Sequence, residues 1–341
     1  MAPSPTRRRS PRALLIAALL LAPLALVSAP QAAASSAGST GSAGSSAGDR
    51  LAGAHDPDWM RRLPDGASLA SLSIPGTHDT MTAGATIVSQ TQDASLPQQL
   101  DAGVRALDIR TRHFRDAFSI HHGPEYLHAN FTDVVREVAD FLRANPTETV
   151  LMRMKSESTE AENTRSYEDT LDWYVHDNPE TRDLLREHLW TPPAGYDGAI
   201  PTLGQARGRI VILQDFTATT AFGPQWGGSR MDIQDDYVLS GLADVTRKWD
   251  EARAQFDRAR AGAPKTLYVN HLSATGVPDP GAIVSGALPV TIADGALGVT
   301  GMNARALDYL TGAGRGRTGV VMTDFPTAAL VAEIIAHNDF R

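Results

Sequence analysis

Leu69-Ala70-Ser71-Leu72-Ser73-Ile74-Pro75-Gly76-Thr77-His78-Asp79 is a short apolar run that ends on a glycine turn and two titratable side chains. Comparable apolar runs follow at 104–109, 118–120, 149–154, 209–213, 266–269 and 319–322. Strands buried on both faces read as near-continuous apolar runs, because helices cover each side of a parallel sheet. The first run fits least well, since Ser71 and Ser73 alternate with Leu72 and Ile74. Between the runs, Phe131, Val134, Val135, Val138, Phe141 and Leu142 mark one face of a helix over 130–144, which Asn145-Pro146 ends. Residues 242–261 and 328–337 are further helix candidates. Strand and helix in alternation imply a parallel sheet, and this many strands predict an α/β fold closed into a barrel of the TIM type, in a single domain.

Nearly every run leads into charged or hydroxyl-bearing residues. Ile74 leads to Thr77-His78-Asp79, and Ile109 lies between Asp108 and Arg110. Ile120 leads to His121-His122, Met154 to Lys155 and Glu157, and Leu213 to Asp215. Val269 leads to Asn270-His271 and Met322 to Thr323-Asp324. In a parallel barrel these positions converge on the C-terminal face, where barrel enzymes place their chemistry. Solvated surface charges would not track strand ends so regularly.

The N-terminal segment lies outside this pattern. Arg7, Arg8, Arg9 and Arg12 precede an apolar run over 13–27, and small residues follow through Ala34. That order reads as a secretory signal peptide over 1–34, so the chain is expected to be secreted. Residues 35–48 are almost all Ser, Gly, Ala and Thr, the composition of a flexible linker. The folded part then covers 49–341, and its length suits one large barrel. The chain has no cysteine, which excludes disulfides, thiol catalysis and zinc–thiolate sites. Four of its 31 basic residues and none of its 39 acidic ones fall in the leader, leaving 27 against 39, a net charge of −12. An acidic surface argues against nucleic acid as a partner, so an anionic substrate must meet local positive charge.

Two histidines at the ends of different strands, His78 and His122, offer a base and an acid near neutral pH. His121, beside His122, is the alternative for the second role. Arg110 is a fixed cation whose planar donor fork suits phosphate oxygens. Asp79 and Asp324 are carboxylates able to accept from an imidazole and fix its tautomer. Asp108 pairs with Arg110, either as structure at the barrel mouth or within the catalytic set. Together these groups describe phosphodiester cleavage without a metal. Lys155 and Glu157 equally suit an ion pair with each other. His271 is placed to line the site without an assigned role, and His113, His128, His176, His188 and His337 read as surface or core residues.

The motifs also resemble those of the bacterial phosphatidylinositol-specific phospholipases C. Trp59, Leu63-Pro64-Asp65 and Leu72-Ser73-Ile74-Pro75-Gly76-Thr77-His78-Asp79 are similar to that family's opening. Gly103-Val104-Arg105-Ala106-Leu107-Asp108-Ile109-Arg110 resembles its second motif and His121-His122-Gly123-Pro124 its third. Asn145-Pro146-Thr147-Glu148-Thr149-Val150, Gln234-Asp235-Asp236-Tyr237 and 319–324 extend the likeness more loosely. The resemblance implies a distorted (β/α)8 barrel and a phosphatidylinositol diacylglycerol-lyase that releases diacylglycerol and inositol 1,2-cyclic phosphate. In it His78 is the base, His122 the acid, Asp324 the partner of His78 and Asp79 the support of the acid. Arg110 stabilises phosphoryl charge, and Lys155, Asp235 and Tyr237 hold the inositol ring. Relatives that use calcium place a carboxylate where Arg110 stands, so no metal cofactor is expected. Calcium on Asp79, Asp108 and Glu157 is the alternative. The expected partner is a phosphoinositide lipid at a membrane or micelle surface, met peripherally by a monomer.

Two departures stand out. Asp215 occupies a position where Bacillus-type enzymes carry an inositol-contacting arginine, which removes positive charge from that pocket. The membrane-inserting tryptophan of their first short helix is missing between Met81 and Leu100. Phe222 and Trp226, or the glycine-rich loop 277–299, are the replacement candidates. The competing readings are a barrel phosphodiesterase for glycerophosphodiesters or sphingomyelin, and a catalytically silent headgroup-binding module. The first brings a Glu-x-Asp metal pair where this chain has Asp108-Ile109-Arg110, and the second loses a histidine or the arginine.

Overall fold

The computed structural model describes residues 50–276 and 279–340. The expected leader (1–34) and linker (35–48) lie outside the described residues, as does Val277 of the glycine-rich loop. Eleven strands are described: β1 (Ser73–Thr77), β2 (Ala106–Phe114), β3 (Ala117–His122), β4 (Glu125–Asn130), β5 (Thr149–Ser156), β6 (Arg209–Asp215), β7 (Met231–Gln234), β8 (Leu267–His271), β9 (Gly295–Ala296), β10 (Val299–Thr300) and β11 (Gly319–Thr323). Seven of them pair in parallel in the order β7-β8-β11-β1-β2-β5-β6.

Among the described residues no ladder pairs β6 with β7; Pro224–Trp226 runs alongside β6 at this point. Gln214 donates its N–H to the Pro224 carbonyl at 2.9 Å, and Trp226 donates back to the Gln214 carbonyl at 2.9 Å. The fold is a distorted (β/α) barrel, and this interval is its main irregularity. Side chains from both flanks of the interval still meet. Val211 and Leu213 of β6, Met231 and Ile233 of β7, and Ile74, Ala106, Leu151, Val269 and Val320 share one apolar cluster inside the ring.

Strand residues alternate between faces, so each strand's inward set has a period of two. Cα partners Ile74–Val320, Val269–Val320, Ile233–Val269, Ala106–Leu151 and Leu151–Val211 set the inward parity all round the wall. Gly76 lies one layer above Ile74 in this set. A Cβ on it would sit 2.7 Å from the Met322 sulfur and 2.9 Å from the Ala106 Cβ, so only glycine fits. Helices Phe131–Ala144, Val245–Ala261, Met302–Gly312 and Ala328–Ala336 pack outside the wall, and the first buries the predicted Phe131, Val134, Val135, Val138 and Leu142.

Three details differ from the sequence expectation. Leu69–Ser71 is a 3-10 turn and the first strand begins at Ser73, consistent with its broken apolar run. Residues 118–120 belong to β3, which pairs antiparallel with β2 and carries a hairpin above the wall. β7, whose Met-Asp-Ile-Gln is too short and too alternating to register as a buried run, supplies the remaining parallel strand.

Candidate active site

The inward parity continues past the apolar layers to the C-terminal end of the wall. There it carries His78, Asp108, Arg110, Arg153, Lys155, Asp215, Asp235, His271 and Asp324. Asp79 is the exception in parity. Its φ of 46° turns the chain directly after β1, a left-handed conformation that Asp tolerates better than most residues. That turn lets Asp79 face the hairpin. Its backbone N–H is anchored on Asp108 Oδ2 at 3.1 Å.

His78 Nδ1 lies 2.8 Å from Asp324 Oδ1, and its Nε2 lies 2.7 Å from Arg110 Nη2. Arginine nitrogens only donate, so Nε2 accepts and the proton is on Nδ1. Burial, with Arg110 beside it, pulls His78 well below the usual histidine range, so the ring is neutral. Burial pushes the Asp324 carboxyl well above the usual carboxylate range, and Asp79 adds to the rise. The backbone under His78 is held as well: Gln92 Nε2 donates to the His78 and Thr323 carbonyls at 2.7 and 2.9 Å.

His122, on β3, sets its Nδ1 against Asp79 Oδ2. His121 points to the other face of the strand, where it is buried against Tyr126. The hairpin therefore offers His122, and not its neighbour, to the site. Arg110 lies between the two histidine–carboxylate pairs. It donates to Asp108 Oδ2 through Nε (3.1 Å) and Nη2 (3.0 Å), and approaches Asp79 at 3.4 Å and Glu157 at 3.8 Å. Burial opposes its charge, but these three carboxylates hold it protonated above its ordinary range. Although burial alone would raise Asp108, Arg110 and Arg153 hold it well below the carboxylate range.

The ring-binding candidates are brought to the same end at different depths. Lys155 is the Cα partner of Arg110 and pairs with Glu157 at 2.7 Å. Asp235 follows β7, 3.7 Å from His271 Nδ1. Tyr237 stands on the rim, 53% exposed. Among the described residues no three histidine or carboxylate side chains are grouped to hold a metal ion.

Residues 67–215 match the model of the family described as phosphatidylinositol-specific phospholipase C, X domain. The 1-phosphatidylinositol phosphodiesterase of Listeria monocytogenes is 32% identical over 298 residues, covering 83% of this chain and 85% of the relative. The chain belongs to the phosphatidylinositol-specific phospholipase C family. The crystal structure of the Listeria monocytogenes phospholipase C superposes with a TM-score of 0.67 at 30% identity, over 84% of this chain and 99% of that one. A Staphylococcus aureus phospholipase C variant gives 0.69 at 25% identity, over 85% and 100%.

As a member of this phospholipase C family, the chain has features that the sequence reading missed. Asp215 does not leave a bare negative charge. Arg153, from the neighbouring strand, donates to its Oδ2 through Nε (2.9 Å) and Nη2 (2.7 Å). The signal was an arginine inside an apolar run, Met152-Arg153-Met154. Phe222 is buried and Trp226 lies under Arg153, 4.3 Å from guanidinium carbon to ring centroid. Neither is an exposed membrane anchor: Phe222 packs against Phe216 in the cluster outside the wall, and Trp226 is partly buried against Arg153 and His271. His271, already placed at the site from the sequence, is fully buried 6.0 Å from the His78 ring, and burial lowers it to about 4. Lys248 is buried against Gln234 and lowered to about 8 for the same reason.

Proposed function

We propose that this chain cleaves phosphatidylinositol by intramolecular transphosphorylation, giving diacylglycerol and inositol 1,2-cyclic phosphate. The observation that carries the reading is the pair of imidazoles, each tied through Nδ1 to its own carboxylate, on either side of Arg110. His78 Nε2, unprotonated, removes the proton from the inositol 2-hydroxyl as that oxygen attacks phosphorus. His122 delivers a proton to the departing glycerol oxygen as the P–O bond breaks. Arg110 meets the charge that develops on the phosphoryl oxygens. The likeness to 1-phosphatidylinositol phosphodiesterases supports the same substrate. Lys155, Asp235 and Tyr237 hold the inositol ring, Tyr237 beneath it.

The reaction needs no metal in this reading. Calcium would need Asp79, Asp108 and Glu157 as ligands, and all three carboxylates are turned toward the Arg110 guanidinium. The Arg110 guanidinium would repel a calcium ion there, and Arg153 on Asp108 and Lys155 on Glu157 add to that repulsion. The protein works as an exported monomer once the leader over 1–34 is removed. Its membrane-facing rim is formed by the loops after β7 and β8, where Val284 and Leu297 are each 89% exposed and Tyr237 and Val238 about half exposed. Large apolar side chains on one rim suit a lipid surface.

The test is phosphorus NMR of phosphatidylinositol micelles with the purified protein in excess chelator, with His78→Ala alongside. A cyclic phosphodiester formed by the wild type alone is the expected result. Turnover that requires added calcium would overturn the metal-free reading. Cleavage of phosphatidylcholine or sphingomyelin instead would overturn the substrate.

A further inference from the structure

Asp108 is fully buried and shared between two guanidinium groups. Its Oδ2 accepts from Arg110 and from the Asp79 backbone, and its Oδ1 lies 3.4 Å from Arg153 Nη1. Asp108 and Arg153 are Cα partners on β2 and β5, so strand register itself places them together. Arg153 is 7% exposed, clamped by Asp215 on one edge and by the Trp226 ring on its face. The result is a continuous relay, Asp215–Arg153–Asp108–Arg110–His78, running from β6 to β1.

We infer that Arg153 is a positioning residue for the phosphodiester cleavage proposed above, acting through Asp108 on the direction and charge of Arg110. The inference rests on that reading of the site. A buried carboxylate facing a single guanidinium cancels most of its charge. Arg110 faces three carboxylates, which would leave little positive charge for phosphoryl oxygens. Arg153 draws the charge of Asp108 toward Oδ1 and so returns part of Arg110's field to the site. It also pins the carboxylate's rotation. With Oδ1 drawn toward the Arg153 guanidinium at 3.4 Å, a charge contact without a hydrogen bond, the Oδ2 edge is presented to Arg110 Nε and Nη2, and Nη2 then reaches His78 Nε2. The near-complete burial of Arg153 separates it from substrate, so its effect travels through Asp108.

The experiment measures kcat and KM on phosphatidylinositol micelles for Arg153→Met and Arg153→Lys, each alone and combined with Arg110→Lys. Arg153→Met is expected to lower kcat by about tenfold with KM changed less than about twofold. Arg153→Lys should recover part of the loss. In the Arg110→Lys background the same Met substitution should cost less than about threefold, because residues acting as one unit are not additive. A merely structural residue would lose the same factor in both backgrounds. Should Arg153→Met fail to fold, Asp215→Asn, which loosens Arg153 without removing it, replaces it with the same expected kcat-only signature. Full kcat in the variant, a loss confined to KM, or equal losses in both backgrounds overturns the inference while leaving the proposed activity intact. A wild type without turnover overturns both.

Discussion

His78 carries its proton on Nδ1 because Asp324 accepts there, and this leaves Nε2 as the proposed base. Its low pKa comes from burial first and Arg110 second, so the base stays competent at mildly acidic pH. Replacing Arg110 by Met should therefore move the His78 titration midpoint upward, read by NMR of the ring. A midpoint that stays or falls contradicts the assignment. His78→Ala and His122→Ala should each lower kcat by about a hundredfold or more, measured by cyclic phosphate release. His271 makes a separate prediction about stability. The unfolded ring takes up its proton near pH 6.5 and the folded ring only near 4. Its contribution is thus full above the unfolded value and declines as pH falls from there toward 4. The difference is worth up to about 3 kcal/mol, and His271→Phe should flatten that part of the curve of unfolding free energy against pH.

At the scale of elements, period-two alternation explains why one face of the barrel collects the chemistry. Ile74, Gly76 and His78 are consecutive inward positions of one strand direction, as are Ala106, Asp108 and Arg110. The polar ends of these strands were legible because apolar layers below them must be continuous. The histidine doublet was legible only as a doublet. Choosing His122 required the hairpin, whose strand alternation turns His121 toward Tyr126. A second element-scale feature lies toward the N-terminal ends of the strands. Arg105 and Glu148, both fully buried, pair at 3.0 Å, and Arg105 also binds the carbonyls of Leu100 and Val104 at 2.8 Å. Removing one partner strands a buried charge. Glu148→Leu alone should cost about 3–5 kcal/mol in denaturant unfolding, and adding Arg105→Met should recover much of it.

For the whole molecule, the same strand direction that gathers the site also sets the loops after β7 and β8 around it. Val284→Asp with Leu297→Asp should slow turnover on phosphatidylinositol vesicles by about fivefold or more relative to turnover on a soluble short-chain substrate, since apolar area is lost from the lipid-facing rim. Equal effects on both substrates would remove these loops from the membrane contact. The chain by itself determined the alternating α/β layout and the C-terminal placement of His78, Arg110 and Asp324. Both follow from local periodicity, which is written in consecutive residues. Only the tertiary structure decided that Arg153 answers Asp215, that Trp226 stacks on Arg153, and that Phe222 packs against Phe216. These are contacts across strand register and barrel closure, between segments whose pairing no local pattern encodes.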